Sequence, residues 1–332
     1  MQHPKQHTTT PGSIPRGFWP AVLGLAAAGL ACGQATAVAP TSSAVPTAAR
    51  TAQPTPAPLL WATDDLSTQV QEEARRWAEA RGLSFIIGPA SAVTASSVAG
   101  GLAWVVSLHE ATWAEDTAFI EAGVRGVVVD PMGLPPSPFV ITIGATDASW
   151  KEAGFLAGVL TGLIGDSQVA GVVANDEEWE GASDLAAGFD QGLRYTCPRC
   201  RQVRAEGSSL DVREFVRQGI EGVFVAPGGR AGELAAVLKE GGLWVVWVGD
   251  LPSETIQERL AGRVLLEPAA LVAQALDALA AGEGGQRWSY SVGTGGIAMG
   301  DVNSQAISPG RQRLADQAEE KLASGELGLD GP

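Results

Sequence analysis

Apolar and polar positions follow two periods along most of this chain, and they are clearest between residues 220 and 250. Residues 223–226 form a short apolar run with β-branched members, which reads as a buried strand. Pro227, Gly228 and Gly229 break it. Residues 231–240 place Leu234, Val237 and Leu238 at helical spacing, and Gly241-Gly242 stops the helix. A second apolar run, 243–248, ends at Gly249-Asp250. Strand, glycine turn, helix, glycine stop and strand make a βαβ unit, whose two strands run parallel. Open parallel sheets bind ligands beyond the carboxyl ends of their strands. In this unit those ends are residues 227–230 and 249–250.

The same alternation fills the rest of the body. Strands are predicted at 59–62, 84–87, 102–106, 127–129 and 139–143, with helices at 68–81 and 113–122. On the first helix Val70, Ala74, Trp77 and Ala78 share one face, and charged residues occupy the others. A second series follows: a small-residue helix at 150–163, a strand at 168–173, a helix at 183–194, an irregular link with room for a strand at 195–203 and a short helix at 211–218. After the central unit come a helix at 253–260, a strand at 264–266, a helix at 271–281, a strand at 289–292, a tight turn at 293–296 and a closing helix at 314–324. Two such series imply an α/β protein with two parallel sheets and a cleft between lobes. A closed (β/α)₈ barrel is the alternative that periodicity leaves open.

Residues 1–58 carry no such pattern. Lys5 and Arg16 precede an apolar run, 18–31, which ends in small residues before Cys32. Positive start, short apolar core and small residues before a cut describe a secretory signal. The cysteine in that place is similar to the lipidated first residue of a bacterial lipoprotein, although Gly29 stands where such signals usually carry Leu. An uncleaved anchor helix or a plain signal peptide are the alternatives. Residues 33–58, rich in Ala, Thr and Pro, read as an extended tether. At 332 residues the chain is long enough for two domains, and 45% hydrophobic with 18% charged residues is a globular composition. The formal charge of −15 argues against a nucleic-acid partner, which requires a basic footprint.

Several stretches, in order, resemble one family. AGFLAGVLTGL (153–163), QVAGVVAND (168–176) and DLAAGFDQGLRY (184–195) are similar to the middle of the basic membrane protein family, substrate-binding lipoproteins of ABC importers whose best-known members bind purine nucleosides. The 222–250 unit resembles the βαβ unit of that family's second lobe, and VGTGGIAMGDVN (292–303) followed by ASGEL (323–327) resembles its C-terminal end. The resemblance spans roughly 102–327. It implies a type I periplasmic-binding-protein fold: two Rossmann-like lobes joined by three crossovers, near Asp147, Glu267 and Ser291, with the ligand between them. It places lobe 1 at 59–146 plus 268–290 and lobe 2 at 147–267 plus 291–332. The departures fall on the nucleoside site. The family's Ser-Phe-Asn is absent after strand one, its Gly-Val-Asp reads Val248-Gly249-Asp250, and its Leu-Lys-Asp-Gly-Gly reads Val292-Gly293-Thr294-Gly295-Gly296.

The candidate ligand contacts are strand-exit residues. Asp250, Asp64 and Asp65 are carboxylates, each able to accept two hydroxyl donors of a diol, or else to cap a helix. Trp113 and Trp179 could stack on a flat ligand face; packing inside a lobe is the alternative. Trp150 stands in the same position of choice. His109, beside Glu110, reads as a polar cleft wall, because adjacent residues point apart and would not share a proton. Gly228 and Arg230 could meet an anion, or simply form a tight βα turn; the Gly-x-x-x-x-Gly-Lys pattern of nucleotide-hydrolysing loops is missing. Asp147 and Thr294 complete the set. Cys197 and Cys200 read as a local disulfide, since zinc would need two more ligands at fitting spacing. No hydrolase elbow, metalloprotease helix or carboxylate pair is present, so no enzyme, metal or cofactor is expected. The expected function is extracytoplasmic delivery of a small polar ligand, a nucleoside among the candidates, to an ABC permease by hinge closure. The alternatives are a ligand sensor of a signalling system and a family member that has lost transport.

Overall fold

A computed structural model describes residues 57–109, 114, 116–130, 137–174, 179, 181–251 and 254–329. Cys32, Glu110, Trp113, and most of the signal and tether lie outside the described residues. Two six-stranded sheets replace the barrel alternative.

The first sheet is built from β1 (Leu59–Thr63), β2 (Ser84–Gly88), β3 (Leu102–Leu108), β4 (Arg125–Val129), β5 (Val140–Gly144) and a late strand, β11 (Arg287–Ser289). Its order is β11-β5-β4-β3-β1-β2, and every pair is parallel. Helices α1 (Thr68–Ala80), α2 (Ala95–Ala99) and α3 (Thr117–Glu121) connect these strands. The second sheet contains β6 (Val169–Ala174), β7 (Arg201–Glu206), β8 (Gly222–Val225), β9 (Trp244–Val248), β10 (Leu260–Leu266) and β12 (Ile297–Gly300). Its order is β12-β10-β9-β8-β6-β7, with β12 alone antiparallel. Its helices are α4 (Asp147–Gly162), α5 (Ala182–Thr196), α6 (Val212–Arg217), α7 (Ala231–Glu240) and α9 (Pro309–Ala323), while α8 (Pro268–Ala280) packs on α1, β4 and β5 of the first. The chain therefore passes between the sheets three times: through α4, at the start of α8, and after β11.

Local chemistry explains the boundaries. Central strands such as β8 are buried on both faces, which is why they read as continuous apolar runs. The edge strand β7 carries Arg201, Arg204 and Glu206, which discourage pairing with another chain. Ser67, Asp116 and Asp211 cap α1, α3 and α6, and Thr146 with Ser149 forms a capping box on α4. Proline at the first helical positions opens α8 and α9.

Three expectations are corrected. Residues Glu254–Arg259 form a 3₁₀ helix, and Leu260, assigned by its spacing to that helix, opens β10 instead. The strand allowed for in the link after α5 is β7, which begins at Arg201. The strand expected at 289–292 is Arg287–Ser289, after which Tyr290 leaves the sheet. The short strand β12 was not expected; it follows a glycine turn, and of its four residues only Ile297 is fully buried. Among the described residues no helix is long and apolar enough to cross a membrane.

Both sheets share one apolar core through the segments that join them. Ser149 of α4, 1% exposed, donates its hydroxyl to the carbonyl of Tyr290 at 2.7 Å, and Val292 N–H donates to Glu152 Oε2 at 2.7 Å. The crossover after β11 is thus pinned to the crossover helix α4.

Candidate ligand cleft

The carboxyl ends of both sheets border one cavity of about 550 Å³. From the first sheet it receives Asp65 after β1, Asp130 after β4 and Tyr290 after β11. From the second it receives Asp250 after β9, with Arg263 and Glu267 on and after β10. Leu108, Val129, Leu265 and Leu266 supply apolar wall between the charges. This is where parallel sheets place their ligands, and the size suits a small molecule.

Asp130 is the most constrained of the group. Its backbone is left-handed (φ 48°), as is that of His109 (φ 54°) at the neighbouring strand exit. Asp and His are among the side chains that tolerate this region, and such residues concentrate at functional sites. The Asp130 N–H donates to Ile143 O at 2.6 Å, and His109 Nδ1 donates to Asp130 O at 2.9 Å, so Nδ1 carries the ring proton. Tyr290, 2% exposed, donates its hydroxyl to Asp130 Oδ1 at 2.9 Å. Burial raises the Asp130 carboxyl above its ordinary value, with the Tyr290 hydrogen bond and the nearby His109 pulling it back. Burial, then the charge and hydrogen bond of Asp130, raises the Tyr290 hydroxyl, so tyrosine stays a donor.

Across the cavity, Arg263 pairs with Asp301 Oδ2 at 2.9 Å, and Asp301 itself holds a left-handed backbone (φ 51°). The Arg263 Nε is buried without a partner among the described residues. Glu267 is the N-cap residue of α8. Asp250 is exposed, and its carbonyl accepts from Trp247 Nε1 at 2.8 Å.

Of the residues singled out in the sequence, the structure brings Asp65 and Asp250 together in this cavity. Asp64, one position earlier, is exposed and outside the lining. His109 acts from behind, on the carbonyl of Asp130. Asp147 sits in the first turn of α4, in a separate hollow with Trp150 and Arg287. Trp179 turns away from the cavity: its ring packs edge-on against Trp150, with centroids 4.7 Å apart, and it borders a small apolar pocket with Phe189 and Phe224. Gly228 and Arg230 form the turn before α7, where Arg230 Nε donates to Glu233 at 3.5 Å. Thr294 is held in the turn after β11 by Ser291 Oγ, which accepts from its backbone N–H at 3.2 Å. Cys197 and Cys200 are disulfide-bonded just beyond α5, with Cα atoms 5.3 Å apart.

Asp130, Tyr290, Arg263 and Glu267 were missed as contacts. Asp130 could have been found, because it ends a predicted strand in the same way as Asp250. Arg263 lay just before a predicted strand and Tyr290 inside one, where a side chain's direction depends on the true strand limits. Among the described residues no three His, Cys, Asp or Glu converge to hold a metal. The described lining contains no His and no Cys.

No family model matches the chain, and no curated protein matches it. Solved structures do. An ABC transporter solute-binding protein from Conexibacter woesei is 19% identical with a TM-score of 0.59, covering 82% of this chain and 98% of its own. An ABC transporter solute-binding protein from Aeropyrum pernix is 14% identical with a TM-score of 0.53, over 82% and 93%. A transcriptional activator of the comK gene from Bacillus halodurans is 11% identical with a TM-score of 0.55, over 81% and 99%. At these identities the likeness is one of fold, and it agrees with the two sheets and their three crossovers. The chain has the two-lobed α/β architecture of the periplasmic binding proteins.

Proposed function

We propose that this chain is an extracytoplasmic solute-binding protein that closes its lobes on a small polar solute and presents the closed form to an ABC permease. The observation that carries the reading is the cavity between the two strand-end rims, to which each sheet contributes carboxylates. Contacts on both rims give a ligand more partners in the closed form than in the open one, and that difference is what shifts the population. The two solute-binding proteins of the same fold support the reading. So does the leader, in which a lipid on Cys32 and the tether that follows would keep the body at the membrane surface. The likeness to a transcriptional activator favours a second reading, in which the same closure reports ligand to a regulator.

Within the first reading, the resemblance to the basic membrane protein family makes a nucleoside one candidate, its ribose diol falling to Asp250 or Asp65. Against it, the described lining holds one aromatic ring, that of the buried Tyr290, so the base finds little to stack on. The test is a thermal-shift screen of ligand-free protein against nucleosides, sugars, amino acids and amines. Small-angle scattering is then run on any compound that shifts the melting temperature. A shift accompanied by compaction is expected for one class. No shift with any class would overturn the reading.

A further inference from the structure

The charges in the cavity are unbalanced. Asp65, Asp130, Asp250 and Glu267 line it as four carboxylates, two from each rim. Arg263 is the one cation in the described lining, and Asp301, outside the cavity, already answers it at 2.9 Å. Closure on a neutral solute would strip water from these carboxylates and supply no positive charge in its place, which is unfavourable for each buried charge. A cationic solute removes that cost, and a protein of net charge −15 attracts it from a distance.

The carboxylates are also spread out, since no three of them converge as metal ligands. A single metal ion is therefore a poor complement, and separated positive groups on one molecule are a good one. Asp130 shows how the site is prepared. One oxygen is held by Tyr290 and the backbone is locked in the left-handed region, while the residue lines the cavity. At the same rim Thr63, 1% exposed and two positions before Asp65, keeps a buried Oγ1 without a partner among the described residues.

Resting on the solute-binding reading, we propose that the cavity takes an organic cation with at least two positive groups, of the linear diamine or polyamine class. One group meets Asp130 and Asp65, and the other meets Asp250 and Glu267. The cation then bridges the lobes, and Asp130 is its fixed anchor. Tyr290, which leads from that anchor into the crossover pinned on α4, is a positioning residue.

The test is calorimetric titration of the full chain with putrescine and spermidine, beside adenosine and ribose as neutral probes, at low and high salt. The expected result is binding of an amine, weakened at least tenfold in high salt. Asp130→Asn and Asp250→Asn should each weaken it at least tenfold, while Glu240→Gln, an exposed helix-end control, should not. Asparagine tolerates the left-handed region, so Asp130→Asn keeps the backbone it needs. Circular dichroism and melting temperature check each variant's fold. Binding of adenosine or ribose with flat amine titrations would overturn the inference and leave the solute-binding reading standing. Amine binding unchanged by both variants would place it elsewhere and overturn the inference. Flat titrations with all four probes would overturn the inference, and the wider thermal-shift screen then decides the solute-binding reading.

Discussion

The two lobes hold their principal helix pairs in opposite ways. In the second lobe α4 and α5 meet backbone to backbone. A methyl group on Gly154 would strike the carbonyl of Leu185, on Gly158 that of Phe189, on Gly188 that of Lys151 and on Gly192 that of Phe155. In the first lobe α1 and α8 meet through long side chains. Trp77 donates its indole N–H to Asp277 Oδ1 at 2.7 Å, Arg81 pairs with the same carboxylate, and the Arg81 guanidinium lies 4.2 Å from the Trp77 ring centroid. Side chains can rotate to absorb an error, whereas carbonyl groups inside helices cannot. The glycine pair should therefore be brittle and the tryptophan pair forgiving, and α4, which carries a crossover between lobes, belongs to the brittle pair.

Gly192→Ala should break the contrast most severely. Alanine is the better helix former by roughly 1 kcal/mol, but the clash is with backbone, so we expect a net loss of about 3 kcal/mol or more. A drop in denaturation midpoint, or no soluble protein, checks it; an unchanged midpoint would mean that the helices can move apart freely. Asp277→Ala should cost about 1–2 kcal/mol, mostly from leaving the N–H of Trp77, 5% exposed, without an acceptor. Asp277 itself is half exposed, so its ion pair with Arg81 adds little. Glu152→Gln sharpens the comparison at the edge of the brittle pair. Burial raises the Glu152 carboxyl above its ordinary 4.5, against the pull of the Val292 N–H. The stability this group contributes is therefore full below pH 4.5 and is lost as pH rises through the raised folded value. Melting curves at pH values spanning that window should show a shallower decline in the variant. Glu72→Ala removes the exposed Arg75 pair on α1 and should change stability by less than about 0.5 kcal/mol in equilibrium unfolding.

The fold was largely legible because central strands such as β4, β8 and β9 are mostly buried apolar runs closed by Asp130, Pro227 and Gly249. The lobe-joining segments were harder. Arg287–Ser289 and Ile297–Gly300 are three and four residues long, too short for any period to declare itself. The site was legible where a carboxylate followed a strong strand, as at Asp250. It was obscured where residue type alone had to decide. An indole suits a ligand or another indole equally well, and Trp150 and Trp179 chose each other. Nor does local sequence show that Arg263 is answered by Asp301, or that Tyr290 reaches Asp130 across 160 positions of chain.

The late arrival of α8 and β11 sets an order of events on the ribosome. The lobe whose strands emerge first cannot finish first. Until residues 268–289 are made, β5 is paired on one side only, with β4, and Trp77 waits for a partner 200 positions downstream. The unfinished lobe has to be shielded while the whole second sheet up to β10 is synthesised, a period in which exposed strand edges invite association with other chains.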